Sequence, residues 1–237
     1  MIKKAVIVAA GLSSRLYPLT LEKPKSLLPV NDKEILTRSM QILNANGINE
    51  IGIVVGYKKE MIKELLKNKA TFISNPFYEQ CNNMGSLWFA RDFVGVEPFL
   101  YLHGDLIYHE QILESSLNHF IYHQNDLELV TEFGKTDEEA MKVRVDASFY
   151  LLESNKEIKL EEAHGEWIGM AYVRKPLVLF KYVEETLFTA GLNLYDTFAF
   201  TKMAVDGYKV FCSSTEKLPW VEIDYLDDYN KAKEIFL

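Results

Sequence analysis

Cysteine is scarce in this chain of 237 residues: Cys81 and Cys212 are its only two. Neither belongs to a metal-spaced cluster, so two idle or buried thiols are expected. Long apolar runs are missing too. The opening MIKKAVIVAAGLSSR holds one run of strand length, shorter than the apolar region of a signal peptide, and no run reaches membrane-spanning length. A cytoplasmic protein without a membrane partner is expected. Positive charge is in deficit, with 26 Lys and Arg against 34 Asp and Glu and a net charge of −8, which argues against a nucleic-acid partner. The glycine-rich signatures are absent as well. No Gly-Lys-Ser/Thr follows the first glycine at Walker A spacing, and a single glycine there rules against a dinucleotide-dependent oxidoreductase. Neither a His–carboxylate nor a Ser–His pattern is evident, and the chain has no repeats, linkers or low-complexity tracts.

What is present begins with Ala5 to Ala10, an apolar, β-branched run that ends in Gly11. The run is too short for a helix and too apolar for an exposed edge, which predicts a buried parallel strand. Gly11 is expected to let the chain turn where a side chain would clash. Ser13 and Ser14 offer hydroxyls and free N–H groups, and Arg15 and Lys25 supply two cations. Such a loop at the carboxyl end of a parallel strand suits phosphates. An acidic chain that handles phosphate must concentrate its few cations locally and recruit Mg²⁺.

Downstream, helices are predicted over 35–46 and 58–69 and strands over 48–56 and 71–74. This is the βαβ grammar of a doubly wound sheet, whose ligand crevice lies outside the carboxyl strand ends. The length suits one α/β domain with a large core or two small ones. Asn82 and Asn83 stand before a helix predicted over 85–93, with Ser86 three residues on, and they read either as caps or as amides facing a nucleobase edge. Strand 98–102 ends in His103-Gly104-Asp105. An aspartate at the tip of a buried strand is costly unless paired or metal-bound, or else it caps the next helix, around 111–119. His103 and His109 are expected to be bystanders, because Mg²⁺ prefers oxygen. Strands 126–133, 141–145, 148–152 and 163–173 follow, the middle two as a hairpin in an excursion over about 134–165. Lys142 on that hairpin is expected in solvent, or alternatively as a further cation closing on phosphates. Helices are predicted over 177–187 and 193–205, with Asp196 favouring the N-terminal dipole of the second. A strand over 208–212 comes next. Trp220 to Asp224 closes the chain as a strand before helix 228–236, for which Asp227 is the expected cap.

Taken together, A-A-G-x-x-S-R-x-x-P-x-T, then K-P-K-x-L-x-x-V, resembles the signature of nucleotidyltransferases that join a nucleoside triphosphate to a phosphorylated small molecule. N-P-x-Y-x-x-x-N-N-x-x-S-L resembles the cytidylyltransferases of phosphocholine and related phosphonates, and the Gln…Gly-Thr-Ala pattern of sugar-1-phosphate members is absent. G-D at 104–105 and E-I-D-x-x-x-D-Y-x-x-A from Glu222 complete the family's order. The resemblance covers nearly the whole chain. It implies one α/β domain over 1–237, a Rossmann-like three-layer sandwich on a mostly parallel mixed sheet, with the 134–165 excursion over the acceptor side.

It further implies CTP held by Ala9, Ala10, Gly11, Arg15, Lys25, Asn82, Asn83, Ser86 and Gly104, and Mg²⁺ held by Asp105 and Asp224. Arg15, Lys25, Asp105 and Asp224 would carry catalysis. The acceptor, a small phosphate or phosphonate, would meet residues from Lys142, Glu166, Trp167, Tyr172, Tyr195, Asp196, Trp220 and Glu222. Its aromatics would serve a cationic head such as choline. A smaller amine on a phosphonate, or a phosphorylated amino acid, would rely on the carboxylates instead. A sugar-1-phosphate nucleotidyltransferase and a non-catalytic nucleotide-binding regulatory domain are the alternatives. A homo-oligomer is compatible with the sequence.

Overall fold

A computed structural model describes residues 2–236. In chain order the elements are β1 (Lys4–Ala9), β2 (Pro29–Val30), β3 (Lys33–Glu34), α1 (Ile35–Ala45), β4 (Glu50–Val55), α2 (Lys59–Leu66) and β5 (Thr71–Ser74). The middle of the chain forms α3 (Asn83–Phe89), α4 (Arg91–Val94), β6 (Phe99–His103), β7 (Leu106–Tyr108), α5 (Glu110–Tyr122) and β8 (Leu127–Phe133). Then come β9 (Lys142–Val145), β10 (Leu151–Asn155), β11 (Gly165–Val173), α6 (Pro176–Ala190), α7 (Thr197–Val205), β12 (Val210–Ser214), β13 (Trp220–Glu222) and α8 (Leu226–Ile235).

Strands β6, β1, β4 and β5 lie side by side and parallel, as the βαβ pattern requires. β11 pairs antiparallel with β6 and β8, and β12 joins β8 in parallel, so the sheet is mixed. The alternation of β1 builds two apolar layers. Val6 and Val8 face α3, α4, α6 and α7, whereas Ala5 and Ile7 face α1, α2 and α5. This is a three-layer sandwich with a mostly parallel central sheet.

The β9–β10 hairpin branches from the amino end of β11, where Val143 pairs with Gly165. Its return strand starts at Leu151, not at 148, because the Asp146 carboxylate accepts hydrogen bonds from the N–H groups of Ser148 and Tyr150 and lengthens the turn. Helix α7 opens at Thr197, with Asp196 as its cap. At the start of α8 Tyr225 is the capping residue, and the Asp228 carboxylate, at the third helical position, accepts from the N–H groups of Asp224 and Tyr225; Asp227, the expected cap, lies inside the helix. No helix among the described residues is long and apolar enough to cross a membrane.

Lys142 departs from both expectations. Its side chain is fully buried, and Nζ donates to the carbonyl oxygens of Glu138 and Lys156, both at 2.8 Å. It ties the two loops that flank the hairpin and does not reach the cleft. Lys142→Met would strand both carbonyls in a dry environment, at a cost of about 2–4 kcal/mol. A fall in the thermal midpoint of roughly 5–15 °C is the expected result in a melting experiment.

Candidate active site

The carboxyl ends of β1 and β6 open into a cleft of about 350 Å³. Ala9, Ala10 and Gly11 form one wall, Arg15 and Lys25 another, Asn82 and Asn83 a third, and Gly104, Asp105, Glu222 and Asp224 the floor. A Cβ at Gly104 would lie 2.7 Å from the Val8 carbonyl oxygen and 2.8 Å from Ala9 Cβ. Only glycine lets the two strand ends approach so closely. Gly11 is different: an added Cβ would meet nothing within 4 Å, and its φ is not positive. The expected clash inside the chain is absent, and the open space beside Gly11 belongs to the cleft. The left-handed residue of the turn is Ser13, with φ 54°.

Backbone pairing brings the two distant aspartates together. β13 runs antiparallel to β7, with Glu222 opposite Leu106, and the Ile223 N–H donates to the Asp105 carbonyl. Lys25 Nζ then lies 2.6 Å from Asp105 Oδ2 and 2.7 Å from Asp224 Oδ1, and Arg15 Nη1 lies 3.4 Å from Asp224 Oδ2. Burial opposes the Lys25 ammonium, but the two carboxylates outweigh it and raise its pKa above the ordinary lysine value. For Asp224, burial works against the charge, while Lys25 and then Arg15 hold the pKa below the ordinary range. The other oxygen of Asp105, Oδ1, is buried without a hydrogen-bond partner. Asp105 caps no helix; that role belongs to His109, whose Nδ1 accepts from the Gln111 N–H.

His103 is the residue that sequence reasoning passed over. It lies on the same strand face as Tyr101, two residues away, and that parity was the available signal. Its Nε2 is 3.0 Å from Asp196 Oδ2 and its Nδ1 3.1 Å from Glu222 Oε1. Burial disfavours the charged ring, but the hydrogen bonds to Asp196 and Glu222 prevail and raise its pKa well above the usual histidine value. Tyr101 donates its hydroxyl to the same Asp196 oxygen at 2.7 Å. Asp196 thus stands behind His103, buried, and does not line the cleft. Gly169, with φ 85°, makes room for the ring: a Cβ there would sit 2.9 Å from His103 Cγ. Gly169→Ala combines that contact with backbone strain, so a loss of roughly 2 kcal/mol is expected in denaturant titration.

Trp167, Tyr195 and Glu222 line the cleft as expected. Four other candidates do not. Ser86 points inward, where Asn75 Nδ2 donates to its Oγ at 3.0 Å. Glu166 neighbours Trp167 in β11 and so faces the opposite side of the sheet; burial, then Asp137, lifts its carboxyl to about 7. Tyr172 is fully buried in the layer of α1, α2 and α5, its hydroxyl 2.9 Å from Ser116 Oγ. Trp220 packs against that same layer. Lys142, and Asp196 behind His103, bring the departures to six. The cation that the excursion does bring to the cleft is Lys156, together with Glu139 and Met141.

The Nucleotidyl transferase family model matches residues 4–143. The CTP:phosphoglutamine cytidylyltransferase of Campylobacter jejuni is 21% identical over 94% of this chain and 96% of its own length. The choline-phosphate cytidylyltransferase of Streptococcus pneumoniae is 41% identical over 38% of this chain and 39% of its own. The solved structure of CTP:phosphocholine cytidylyltransferase from that organism superposes with a TM-score of 0.78 at 21% identity, covering 100% of both chains. A UTP–glucose-1-phosphate uridylyltransferase of Staphylococcus saprophyticus is 34% identical over 44% of this chain and 45% of its own. With a family model spanning more than half its length and this strand-end cleft, the chain belongs to the nucleotidyl transferase family.

Proposed function

We propose that this nucleotidyltransferase is a cytidylyltransferase, moving CMP from CTP to the phosphate or phosphonate of a small molecule and releasing pyrophosphate. The observation that carries the reading is the convergence of Lys25, Asp105 and Asp224 in the cleft, with the Lys25 ammonium 2.6 Å from the first carboxylate and 2.7 Å from the second. Beside them, the N–H groups of Gly11, Leu12 and Ser13 donate to no backbone oxygen among the described residues. They suit the oxygens of a triphosphate.

The family implies a divalent cation, and the residues fit one. Asp105 Oδ1 is buried and unpartnered, and ligand atoms of His103, Asp105 and Glu222 lie within 4.8 Å of one another. Both ring nitrogens of His103 are committed to carboxylates. The oxygens of Asp105, Asp224 and Glu222 remain, an all-oxygen set suited to Mg²⁺. When bound, the ion would supply charge stabilisation at the α-phosphate. Arg15 and Lys25 offset the negative charge of the departing pyrophosphate. His103 orients Glu222 and is itself fixed by Asp196. The acceptor oxygen is already ionised at neutral pH and needs no base. That agrees with a cleft in which no histidine faces a hydroxyl nucleophile. Rate enhancement then comes from in-line positioning and preorganised charge.

Asn82 supports cytosine. Its carboxamide oxygen caps α3 by accepting from the Asn83 N–H at 2.8 Å, which leaves the NH₂ group for the cleft. A donor there matches the N3 and O2 acceptors of cytosine, whereas uracil presents an N3–H. Asn82→Asp keeps the cap and removes the donor. It is expected to lower kcat/KM for CTP about tenfold or more with the melting temperature unchanged.

Pyrophosphate release from CTP, UTP, GTP and dTTP, each tested against phosphocholine, 2-aminoethylphosphonate, phosphoamino acids and glucose 1-phosphate, tests the whole reading. CTP with an amine-bearing acceptor is expected to lead. UTP with glucose 1-phosphate leading would instead favour the sugar-phosphate alternative, which the Staphylococcus saprophyticus relative keeps open. Release with no pair at all would favour a regulatory nucleotide-binding domain.

A further inference from the structure

Lys156 stands in an unusual place. Its Nζ lies 5.4 Å from the centre of the Tyr195 ring and 3.8 Å from Glu139 Oε2, and all three residues line the cleft. An aromatic face with a carboxylate beside it is the recognition chemistry of an alkylammonium group. Here the group is the chain's own lysine.

The walls of this corner are firmly built, but the lysine within it is loosely held. Lys142 Nζ, buried, pins the carbonyls of Glu138 and Lys156 at 2.8 Å. Asp137 Oδ1 accepts from the N–H groups of Glu139 and Ala140, and Asn155 Oδ1 from those of Glu157 and Ile158. The backbone on both sides is therefore fixed by six hydrogen bonds involving three side chains. Among the described residues, the Lys156 side chain makes the long ion pair and the ring contact. Such interactions are weak enough for a competing cation to displace.

Building on the cytidylyltransferase reading, we propose that Glu139 and Tyr195 form a subsite for an ammonium group on the acceptor, and that Lys156 fills it in the free enzyme. The substrate class is a phosphate or phosphonate that carries a positively charged amine. Binding of that amine displaces the Lys156 ammonium, which becomes available to the acceptor's anionic end. Lys142 is the positioning residue that holds both sides of the subsite at the right separation.

Two measurements test this. The first needs no catalysis. Tetramethylammonium binding, followed by calorimetry on the full chain, should tighten at least tenfold in Lys156→Ala and be lost when Tyr195→Leu is added. Equal affinity in the original chain and both variants would overturn the proposal. The second compares phosphocholine with its uncharged isostere 3,3-dimethylbutyl phosphate, with CTP in excess. The charged acceptor should have at least tenfold higher kcat/KM, and Glu139→Gln or Tyr195→Leu should bring the ratio toward one. Circular dichroism confirms that the variants are folded. CMP transfer with equal efficiency to both acceptors would overturn the ammonium subsite while leaving the cytidylyltransferase standing. No transfer from CTP to any acceptor would remove the underlying reading and the substrate class with it.

Discussion

Asp224→Ala is expected to lower CMP transfer by about 10³-fold or more while the protein stays folded, as read by pyrophosphate release and thermal melting on the same sample. Removing one charged partner from a preorganised phosphoryl-transfer site typically costs about 10²–10³ in turnover, and Asp224 is charged with two tasks. It contributes an oxygen to the proposed cation site, and it holds Lys25 at 2.7 Å and Arg15 at 3.4 Å. The fold depends little on it. The Asp224 side chain is 35% exposed, and Lys25 keeps Asp105 at 2.6 Å after the substitution. The Lys25 end of the pair is largely buried but keeps a carboxylate partner, so a loss of about 1 kcal/mol and a melting shift of only a few degrees are expected. Asp105→Ala should cause a comparable loss of turnover. Full activity in either variant would remove that carboxylate from the proposed mechanism.

Lys25→Met should produce the second-largest effect, and an opposite one on two readouts. Turnover should fall by about 10²–10³-fold, because the charge of the departing pyrophosphate loses its most buried counter-charge. Divalent-cation binding to the free protein should become tighter, since Asp105 and Asp224 would face each other without the ammonium between them. Electron paramagnetic resonance of Mn²⁺ titrated into the nucleotide-free protein reads this directly. A Kd at least tenfold lower than that of the original chain is expected; an unchanged Kd would mean that the ion binds elsewhere.

The pH dependence follows from the same groups. Asp224 has a lowered pKa, so its ion-pair stabilisation is present above the unfolded value of 3.8 and is lost as pH falls through the lower folded value. Lys25 has a raised pKa, so its contribution is complete below 10.5 and is lost only as pH rises through the still higher folded value. Neither group titrates between about pH 5 and 9. An acid limb in kcat/KM near pH 6 is therefore expected from the acceptor's own second phosphate ionisation.

Much of the site was readable because its chemistry sits on short local motifs. A buried strand running into Gly11, a lysine between Pro24 and Ser26, and aspartates at two strand tips each need only a few neighbouring residues to be recognised. That Asp105 and Asp224 meet is a property of the β7–β13 pairing, and the order of motifs suggested it where spacing could not. The misplaced acceptor residues failed for a different reason. Glu166 and Trp167 are adjacent in one strand and must face opposite ways, so the carboxylate could not serve the ring's side of the sheet. Tyr172 is even-numbered in that strand and falls into the far layer. The same parity, applied to Tyr101 and His103, points to His103. The exchange of Lys142 for Lys156 was not readable at all. It depends on how the hairpin's flanking loops fold back over β9, a tertiary outcome without a periodic signal.

Soaking crystals with a non-hydrolysable CTP analogue and Mn²⁺, then locating the metal by anomalous scattering, tests the central claim most directly. A single strong peak is expected between the carboxylates of Asp105 and Asp224, with the triphosphate against Gly11 to Ser13 and the Lys25 ammonium moved onto a phosphate oxygen. A peak away from both carboxylates, or a nucleotide bound outside this cleft, would contradict it.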